Sequence, residues 1–518
     1  MTKPSQRTRT VRWAPALAGA AAGAVAIATS ELLAGLVGAP SLIIAAGTLA
    51  IDLQPPGAKD VVVSLFGTND KAALSLLMVV VAMAVAAGAG VLAARRFRLG
   101  ALVLVAFGIV AAGAAIRMPL VAPAFAVVNA AVAVGAALLV LRILIGRLPG
   151  RSTDPHAGTV SAEWTRRRFL IASAGTIGGA AIAGGVGRAL LDRRHVEGVV
   201  STSRLPAPLV AVPALGSDQA LSLPGLTPLV MANDAFYRID TALLVPEVDV
   251  STWQLKVTGM VDHPATLTYD ELLAMPLFEQ YVTISCVSNR VGGDLVGNAL
   301  WTGVRLKDVL AAAGVQTGAT QIVGRSVDGF TAGFPTSWAM APEREPMIAV
   351  GMNRQPLPAN HGFPARLIVP GLYGYVSATK WLSEIQLTTR EAVDGYWVPL
   401  GWAKDAPILT QSRIDVPTGG GTVPAGLTTI AGVAWAPDRG IAKVEIRIDD
   451  GPWQAAGITR PISKATWVQW TLAWTATPGR HSIEVRATDD AGNVQTDQAS
   501  EPAPDGSRGH HRILINVG

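Results

Sequence analysis

The stretch Gln280–Gly293, QYVTISCVSNRVGG, contains the one cysteine of the chain and decides how the rest is interpreted. Gln280–Cys286 predicts a strand, and the residues after Cys286 predict a loop rich in glycine and asparagine. Strand ends that lead into such loops often display active-site residues, and a base such as Arg290 would favour the thiolate. Taken alone, however, a cysteine after an apolar strand is more often a buried structural thiol.

The composition indicates a chain that is partly embedded in a membrane. Of its 518 residues, 50% are hydrophobic and only 15% are charged, whereas about a quarter is usual in soluble domains. The length predicts three or four domains, and disorder, collagen and coiled coil are excluded.

The positive charge is confined to the amino-terminal part. Residues 1–168 contain 16 Lys and Arg against 6 Asp and Glu, and residues 169–518 contain 26 against 31. Because nucleic-acid binding needs a basic face on the folded domain, the mildly acidic remainder argues against a nucleic-acid partner.

A single cysteine excludes an intrachain disulfide, a CxxC zinc site and a four-cysteine iron–sulfur cluster. It leaves the redox compartment undecided. A cysteine protease would need a paired histidine, and His263, the nearest in sequence, has no recognisable partner motif. No predicted span contains a histidine, so we expect no transmembrane haem.

Four apolar stretches before residue 150 and a fifth after it are long enough to cross a bilayer core of about 30 Å. They are Trp13–Gly38, Ala72–Ala94, Leu99–Ile116, Val121–Ile145 and Phe169–Leu191. Ser41–Ile51 is apolar but too short to span, and an interfacial loop is favoured over a re-entrant turn. Glu31, the only acidic residue within a span, is expected near an interface without a function of its own.

The run Thr165–Leu170, TRRRFL, resembles a twin-arginine export signal, although it follows four spans instead of opening the chain. The alternative is three arginines flanking an ordinary helix. If Arg166–Arg168 lie inside the cell, thirteen basic residues near the spans are cytoplasmic and three, Lys59, Lys71 and Arg117, are outside. This distribution obeys the positive-inside rule, and it predicts a multi-pass cell-membrane protein with an extracytoplasmic carboxyl-terminal part.

The predicted fold has three parts, which are an α-helical membrane domain, an α+β domain and an all-β sandwich of immunoglobulin type. The sandwich is inferred from alternating strands at Thr428–Trp435, Ala442–Asp449, Trp467–Trp474 and His481–Thr488, and its tryptophans (Trp435, Trp453, Trp467, Trp470, Trp474) are expected in the core. Residues 192–228 are expected to be a linker rich in Pro, Ala and Ser. The expected boundaries are 1–150 for four spans, 151–195 for the signal and fifth span, 196–230 for the linker, 231–404 for the α+β domain and 405–518 for the sandwich.

From about Asn233 the chain resembles the sulfite oxidase family of molybdopterin oxidoreductases. The resemblance is carried by ordered motifs, namely CVSNR from Cys286, GNALWTGVRL from Gly297, MN at Met352, PLP at Pro356, HGFPAR from His361, KWL from Lys380, GVAW from Gly432 and RATD from Arg486. These motifs extend over nearly 290 residues. Because of these motifs, a functional role for Cys286 is preferred over a purely structural one.

The resemblance implies that one pterin dithiolene and the Cys286 thiolate hold molybdenum. A thiolate is a soft ligand, which suits this metal centre. It also implies which residues bind the pterin. Three lie in the segment Asn233–Thr241, namely Asn233, Tyr237 and Arg238, and five follow it, namely Ser326, His361, Arg366, Thr379 and Lys380. The implied catalytic set is Cys286, Arg238, Trp301 and Tyr396. The last part of the chain resembles the family's dimerisation domain, so a homodimer is expected.

The implied function is oxygen-atom transfer on a small molecule, with a separate electron carrier or quinone, the lipid bilayer and the twin-arginine machinery as partners. Because molybdopterin is assembled in the cytoplasm, export of a folded domain agrees with that signal. The alternative is a non-catalytic surface protein whose immunoglobulin-like module binds partners. Two arginines that bind sulfite in the family are replaced here by Ile239 and Val291, and the family's late tyrosine is unaligned near Asp394 or Tyr396.

Overall fold

In the computed structural model, residues 13–55, 70–119, 121–148, 159–197, 204–341 and 343–518 are described. They belong to two compact units, Met1–Gly198 with Thr241–Val245, and Val199–Asp240 with Pro246–Gly518. Part of the topology prediction lies outside the described residues, including Lys3, Arg7, Arg9, Arg12, Lys59 and Arg151 and the side chain of Arg166.

The first unit is helical. Its helices are α1 (Ala14–Val37), α2 (Leu42–Asp52), α3 (Asp70–Arg95), α4 (Phe97–Ile116), α5 (Pro123–Gly146) and α6 (Thr159–Glu197). Five of them are long and apolar enough to cross a membrane, and within α6 the apolar part is Arg167–Leu191. The five predicted spans are therefore confirmed as helices. Phe169 of the TRRRFL run is buried in this bundle.

The loop favoured for Ser41–Ile51 is wrong, because α2 is a helix in that place. The Ser41 hydroxyl caps α2 by accepting the Ile44 N–H, and the Leu42 N–H donates to Ser30 Oγ at 3.1 Å. Ser41 also donates to the buried Glu31 carboxylate, which lies 4.0 Å from Arg188. Glu31 therefore anchors the start of α2, as the structural interpretation of this residue expects.

The second unit begins with two sheets and short helices. One sheet has the order β2-β1-β10-β5-β6, and the other has the order β3-β4-β7-β8 with β9 on β7. The strands are β1 (Gln254–Gly259), β2 (Ala265–Thr268), β3 (Leu277–Ser285), β4 (Val296–Arg305), β5 (Gln321–Ser326), β6 (Thr331–Pro335), β7 (Met347–Met352), β8 (Gln355–Pro356), β9 (Arg366–Ile368) and β10 (Leu382–Thr388). The helices are α7 (Tyr269–Ala274), α8 (Leu306–Ala313), α9 (Thr336–Met340) and α10 (Gly374–Ser377).

Two further sheets follow, with the orders β11-β13-β17-β16 and β12-β19-β18-β14-β15. Their strands are β11 (Gln411–Val416), β12 (Thr422–Val423), β13 (Gly426–Trp435), β14 (Ile441–Ile448), β15 (Gln454–Ala455), β16 (Gly457–Ile458), β17 (Val468–Ala476), β18 (Gly479–Asp489) and β19 (His511–Val517). Apolar side chains from both sheets share one core, for example Ile430 and Val485. All four predicted strands are present, and the immunoglobulin-type identity of this sandwich stays a prediction.

The tryptophans of this region divide into two groups. Trp435, Trp467 and Trp470 are buried as predicted. Trp453 and Trp474 are half-buried instead, because their rings contact polar side chains at the surface. Trp453 packs against the guanidinium of Arg486, and Trp474 meets His481 edge to face.

The free linker predicted up to residue 228 is wrong for its described part. From residue 204 onward this segment belongs to the second unit and is attached to it by hydrogen bonds. The Leu209 N–H donates to the Leu277 carbonyl at 2.7 Å, and the Trp467 indole donates to the Leu229 carbonyl at 2.8 Å. Apolar residues spaced through the Pro-rich stretch, such as Leu226, give it this attachment.

Candidate functional site

Cys286 lies directly after β3, which pairs with β4 in antiparallel register from Leu277↔Val304 to Ser285↔Val296. The thiol side chain is buried, and its backbone N–H donates to the Leu295 carbonyl at 2.9 Å. Strand pairing therefore continues up to Cys286 and fixes where its sulfur lies.

The loop after Cys286 is held rigidly. The Asn289 N–H donates to the Cys286 carbonyl, and Asn289 Oδ1 accepts the Leu295 N–H at 2.9 Å. Arg290, expected beside the thiolate, instead points outward and pairs with Glu501 at 3.2 Å. The loop is thus closed by asparagine, and Arg290 is a surface ion pair.

A buried cationic cluster is formed by three residues that are separated in sequence. His361 ends a short 3₁₀ turn, Arg366 opens β9, and Lys380 follows α10. Arg366 Nη1 donates to the His361 carbonyl at 3.0 Å, and Lys380 Nζ donates to Asp240 Oδ2 at 2.7 Å. Asp240 Oδ2 also accepts from Arg238 Nε at 2.9 Å.

Burial disfavours the positively charged form of each of these three side chains. It lowers the pKa of Lys380 to about 8, that of Arg366 to about 10, and that of His361 to about 4. His361 is therefore neutral near pH 7. Because its Nε2 lies 2.7 Å from the Asn233 carbonyl, the proton is on Nε2 and donates to that oxygen, which leaves Nδ1 as an acceptor.

The cluster has the chemistry of an anion site. Among the described residues, Arg366 Nε is buried without a hydrogen-bond partner. The carboxylates facing the cluster are Asp240 and Asp328, and burial raises the pKa of Asp328 and so disfavours its charge. An orphaned guanidinium donor and excess positive charge fit the phosphate of molybdopterin, and Arg366 and Lys380 would hold it.

Three tyrosines of this domain, Tyr237, Tyr373 and Tyr375, have raised pKa values. Burial raises the pKa of Tyr237, the Cys286 charge raises it further, and the Arg366 charge opposes this. Burial likewise raises the pKa of Tyr373 to about 12, and Cys286 contributes to that shift and to the raised pKa of Tyr375. Tyr373 and Tyr375 were not predicted, although the run GLYGY from Gly371, between Arg366 and Lys380, marks them.

A loop from the carboxyl-terminal strands completes the surroundings of Cys286. Ser507 Oγ donates to the Asn289 carbonyl at 2.6 Å. Gly506 has φ +110°, and a Cβ there would lie 2.5 Å from the Tyr373 hydroxyl, so only glycine fits. Arg508 acts electrostatically on Tyr373 but is bound to Asp505 by two hydrogen bonds of 3.0 and 2.5 Å.

Several predicted site residues have other contacts. Asn233 offers its backbone to His361, and its side chain bonds Asn353 at 2.8 Å. Thr379 is buried and donates to the Gly324 carbonyl, and Ser326 is buried and accepts the Asp328 N–H. Their direct contact with a cofactor stays a prediction.

The predicted catalytic residues are not equally placed. Trp301 is fully buried, donates to the Val282 carbonyl, and lies 5.0 Å beneath the Arg366 guanidinium, which suits a positioning residue. Tyr396 packs against Phe330 and Trp397. Arg238 is drawn to Asp240 in the cationic cluster. Catalytic roles for all three stay predictions.

Arg366→Met should separate cofactor retention from folding. Losing one charge-assisted contact of about 1.5–3 kcal/mol weakens cofactor retention about 10- to 150-fold. With the cofactor removed from both proteins, the variant should unfold at a temperature no lower than that of wild type, because it no longer buries the Arg366 charge. Pterin content per chain after dialysis and a thermal melt check both expectations.

Arg344→Met is the matched control for this experiment. Arg344 also lies over an indole, 4.0 Å from the Trp338 ring, and also has a buried Nε without a partner among the described residues, but it pairs with Asp438 at 2.7 Å. Its replacement should leave pterin content unchanged. Equal pterin content in wild type and Arg366→Met would contradict the assignment.

Comparison with known proteins finds a family model and relatives that are similar to part of this chain. Residues 242–397 match the family model described as oxidoreductase molybdopterin binding domain. Human mitochondrial sulfite oxidase is 32% identical over 302 residues, which cover 49% of this chain and 55% of that protein. Rice nitrate reductase [NADH] 1 is 28% identical, over 49% of this chain and 34% of that protein. The structure of the sulfane dehydrogenase SoxCD from Paracoccus pantotrophus matches with a TM-score of 0.49 and 21% identity, over 56% of this chain and 84% of that one. This chain spans about half the length of the human relative.

Proposed function

We propose that this chain is a sulfite-oxidase-family molybdopterin oxidoreductase that transfers oxygen atoms to or from a small-molecule substrate while anchored in the cell membrane. One observation carries the proposal. The buried Arg366 guanidinium, whose Nε has no partner among the described residues, lies 5.0 Å from the Trp301 ring on β4, and β4 pairs with β3, the strand directly before Cys286.

Each residue of the site has a proposed role that follows from its chemistry. Arg366 and Lys380 would bind the pterin phosphate, and Asp240 would keep Lys380 oriented through its 2.7 Å hydrogen bond. Cys286 would supply the protein thiolate to the metal. When bound, the molybdenum cofactor supplies two-electron oxygen-atom transfer. Tyr373 remains protonated near pH 7, since burial raises its pKa to about 12, and its hydroxyl, which accepts the Leu409 N–H, can donate to a substrate oxygen. The Tyr375 hydroxyl already donates to the Ala403 carbonyl.

The location is part of the proposal. Five helices of the first unit are long and apolar enough to cross a membrane. The TRRRFL run at the start of the fifth supports export of a folded, cofactor-loaded second unit to the extracytoplasmic side. A separate electron carrier or quinone would exchange electrons with it, and haem is not expected in this chain. A homodimer through residues 405–518 also stays a proposal.

Metal analysis of the purified full chain distinguishes the enzyme from the second candidate, a cell-surface binding protein with a retained cofactor domain. We expect about one molybdenum and one pterin per chain, together with turnover of an oxygen-atom donor or acceptor using an artificial electron carrier. A protein expressed with its export machinery that carries neither metal nor pterin would favour the binding protein.

A further inference from the structure

The Cys286 loop, which runs from Cys286 to Leu295, is held by side chains that come from the carboxyl-terminal sheets. Arg413 on β11 is buried and donates through Nη1 to the Gly293 carbonyl at 2.8 Å. Gly293 lies two residues before Leu295, whose carbonyl accepts the Cys286 N–H at 2.9 Å. Arg413 therefore holds the end of the loop that is bonded directly to the cysteine.

Two further contacts orient Arg413. Its Nε donates to Asp415 Oδ1 at 2.6 Å, and its Nη2 donates to Thr227 Oγ1 at 2.7 Å. The guanidinium is planar and carries its donors in a fixed fork, so these two bonds also fix the direction of Nη1. The charge of Arg413 is balanced by Asp415, so its burial is explained without a ligand, and its remaining donor group is used on the loop.

A second side chain holds the same end of the loop from the other sheet of the sandwich. The Ile414 N–H donates to His511 Nδ1 at 2.9 Å, which fixes the ring of this β19 residue. The ring packs directly on the loop backbone, because a Cβ at Gly292 would lie 2.4 Å from it. Since Ser507 donates to the Asn289 carbonyl, both halves of the loop are fixed from outside.

We propose that Arg413 and His511 are positioning residues, together called the clamp, that keep the Cys286 sulfur in place before a cofactor binds. The importance of that place for a metal rests on the proposed function. Residues that orient a metal ligand from outside typically change metal affinity or activity about 10- to 100-fold when they are replaced. Strand pairing fixes Cys286 from the side of β3, and the clamp fixes it from the side of the loop.

The test measures how fast iodoacetamide alkylates the single thiol of the full chain, expressed without its cofactor in a host that does not synthesise molybdopterin. Arg413→Met with Asp415→Asn removes the bond to Gly293 and leaves no unpaired buried charge. His511→Asn keeps an acceptor for the Ile414 N–H but removes the ring, and it serves if the double variant does not fold. Because a buried thiol reacts only when its surroundings open, each clamp variant should raise the alkylation rate at least about tenfold.

Arg439→Met with Asp489→Asn is the matched control. Arg439 donates to the same three kinds of acceptor, a carboxylate, a threonine hydroxyl and a backbone carbonyl, on Asp489, Thr410 and Ile408. None of these acceptors belongs to the Cys286 loop, so alkylation should proceed at the wild-type rate. A control that alkylates as fast as the clamp variants would show general loosening of the domain and overturn the proposal.

In the cofactor-loaded chain, both clamp variants should bind molybdenum about 10- to 100-fold less tightly than wild type, measured as metal content after dialysis. Alkylation at the wild-type rate in both clamp variants would overturn the proposal, and so would faster alkylation with unchanged metal content. Failure of the proposed function gives a different result. A wild-type chain that carries no molybdenum, with the expected alkylation rates in the variants, would refute the enzyme and keep the clamp.

Discussion

Cys286→Ser is expected to abolish turnover while the protein still folds and still holds the pterin. A hard hydroxyl would replace the soft thiolate, but Arg366 and Lys380, the residues proposed to bind the phosphate, would keep their hydrogen bonds to His361 and Asp240. Serine is close in size to cysteine, and the backbone bonds that hold this position use the Cys286 N–H and carbonyl, which the substitution keeps.

The measurement combines turnover with an artificial carrier, pterin content and X-ray absorption at the molybdenum edge. We expect activity below a tenth of wild type and one sulfur ligand fewer on the metal. Ser288→Ala, a one-atom deletion two residues further along the same loop, is the control and should keep its activity. Activity above a tenth of wild type in Cys286→Ser would refute the metal-ligand assignment.

Sulfite is expected to be a poor substrate. The resemblance to the sulfite oxidase family implies that Ile239 and Val291 replace two arginines that bind the sulfite dianion in that family. Each lost charge-assisted contact costs about 1.5–3 kcal/mol, so two losses weaken binding by roughly 10²–10⁴-fold.

The tertiary structure strengthens this expectation, because Arg238 and Arg290, which are adjacent to these positions in sequence, and Arg508, which follows the Ser507 that bonds Asn289, are already paired. Arg238 pairs with Asp240, Arg290 with Glu501, and Arg508 with Asp505. Arg238 could have compensated for Ile239 only by turning to the substrate, and its bond to Asp240 holds it in the cationic cluster. A neutral or less charged substrate, for example a sulfoxide, therefore fits this site better than a dianion.

Steady-state kinetics with sulfite and ferricyanide test the expectation, with a sulfoxide and a reduced carrier as the comparison. The double variant Ile239→Arg with Val291→Arg should lower the Michaelis constant for sulfite and leave that for the sulfoxide nearly unchanged. A wild-type constant in the low micromolar range with rapid turnover would show that the arginine argument is wrong.

The sequence by itself determined the elements and the cofactor class. Apolar runs of span length, the strand before Cys286 and the alternating strands of the carboxyl-terminal region are local patterns, and the structure has helices or strands at each of them. The positions His361, Arg366 and Lys380, and the cofactor class with them, came from the family resemblance that the HGFPAR and KWL motifs carry, and these residue types suit a phosphate.

Only the tertiary structure decided which charges are paired and which remain free. Asp240 reaches Lys380 across 140 positions, and Ser507 reaches the Cys286 loop across more than two hundred. It also showed that Trp301 lies beneath Arg366, that Gly506 packs closely against Tyr373, and that α2 is a helix capped by Ser41 and held by Ser30. Such contacts depend on burial and on distances between remote segments, and no local pattern of residue types encodes either quantity.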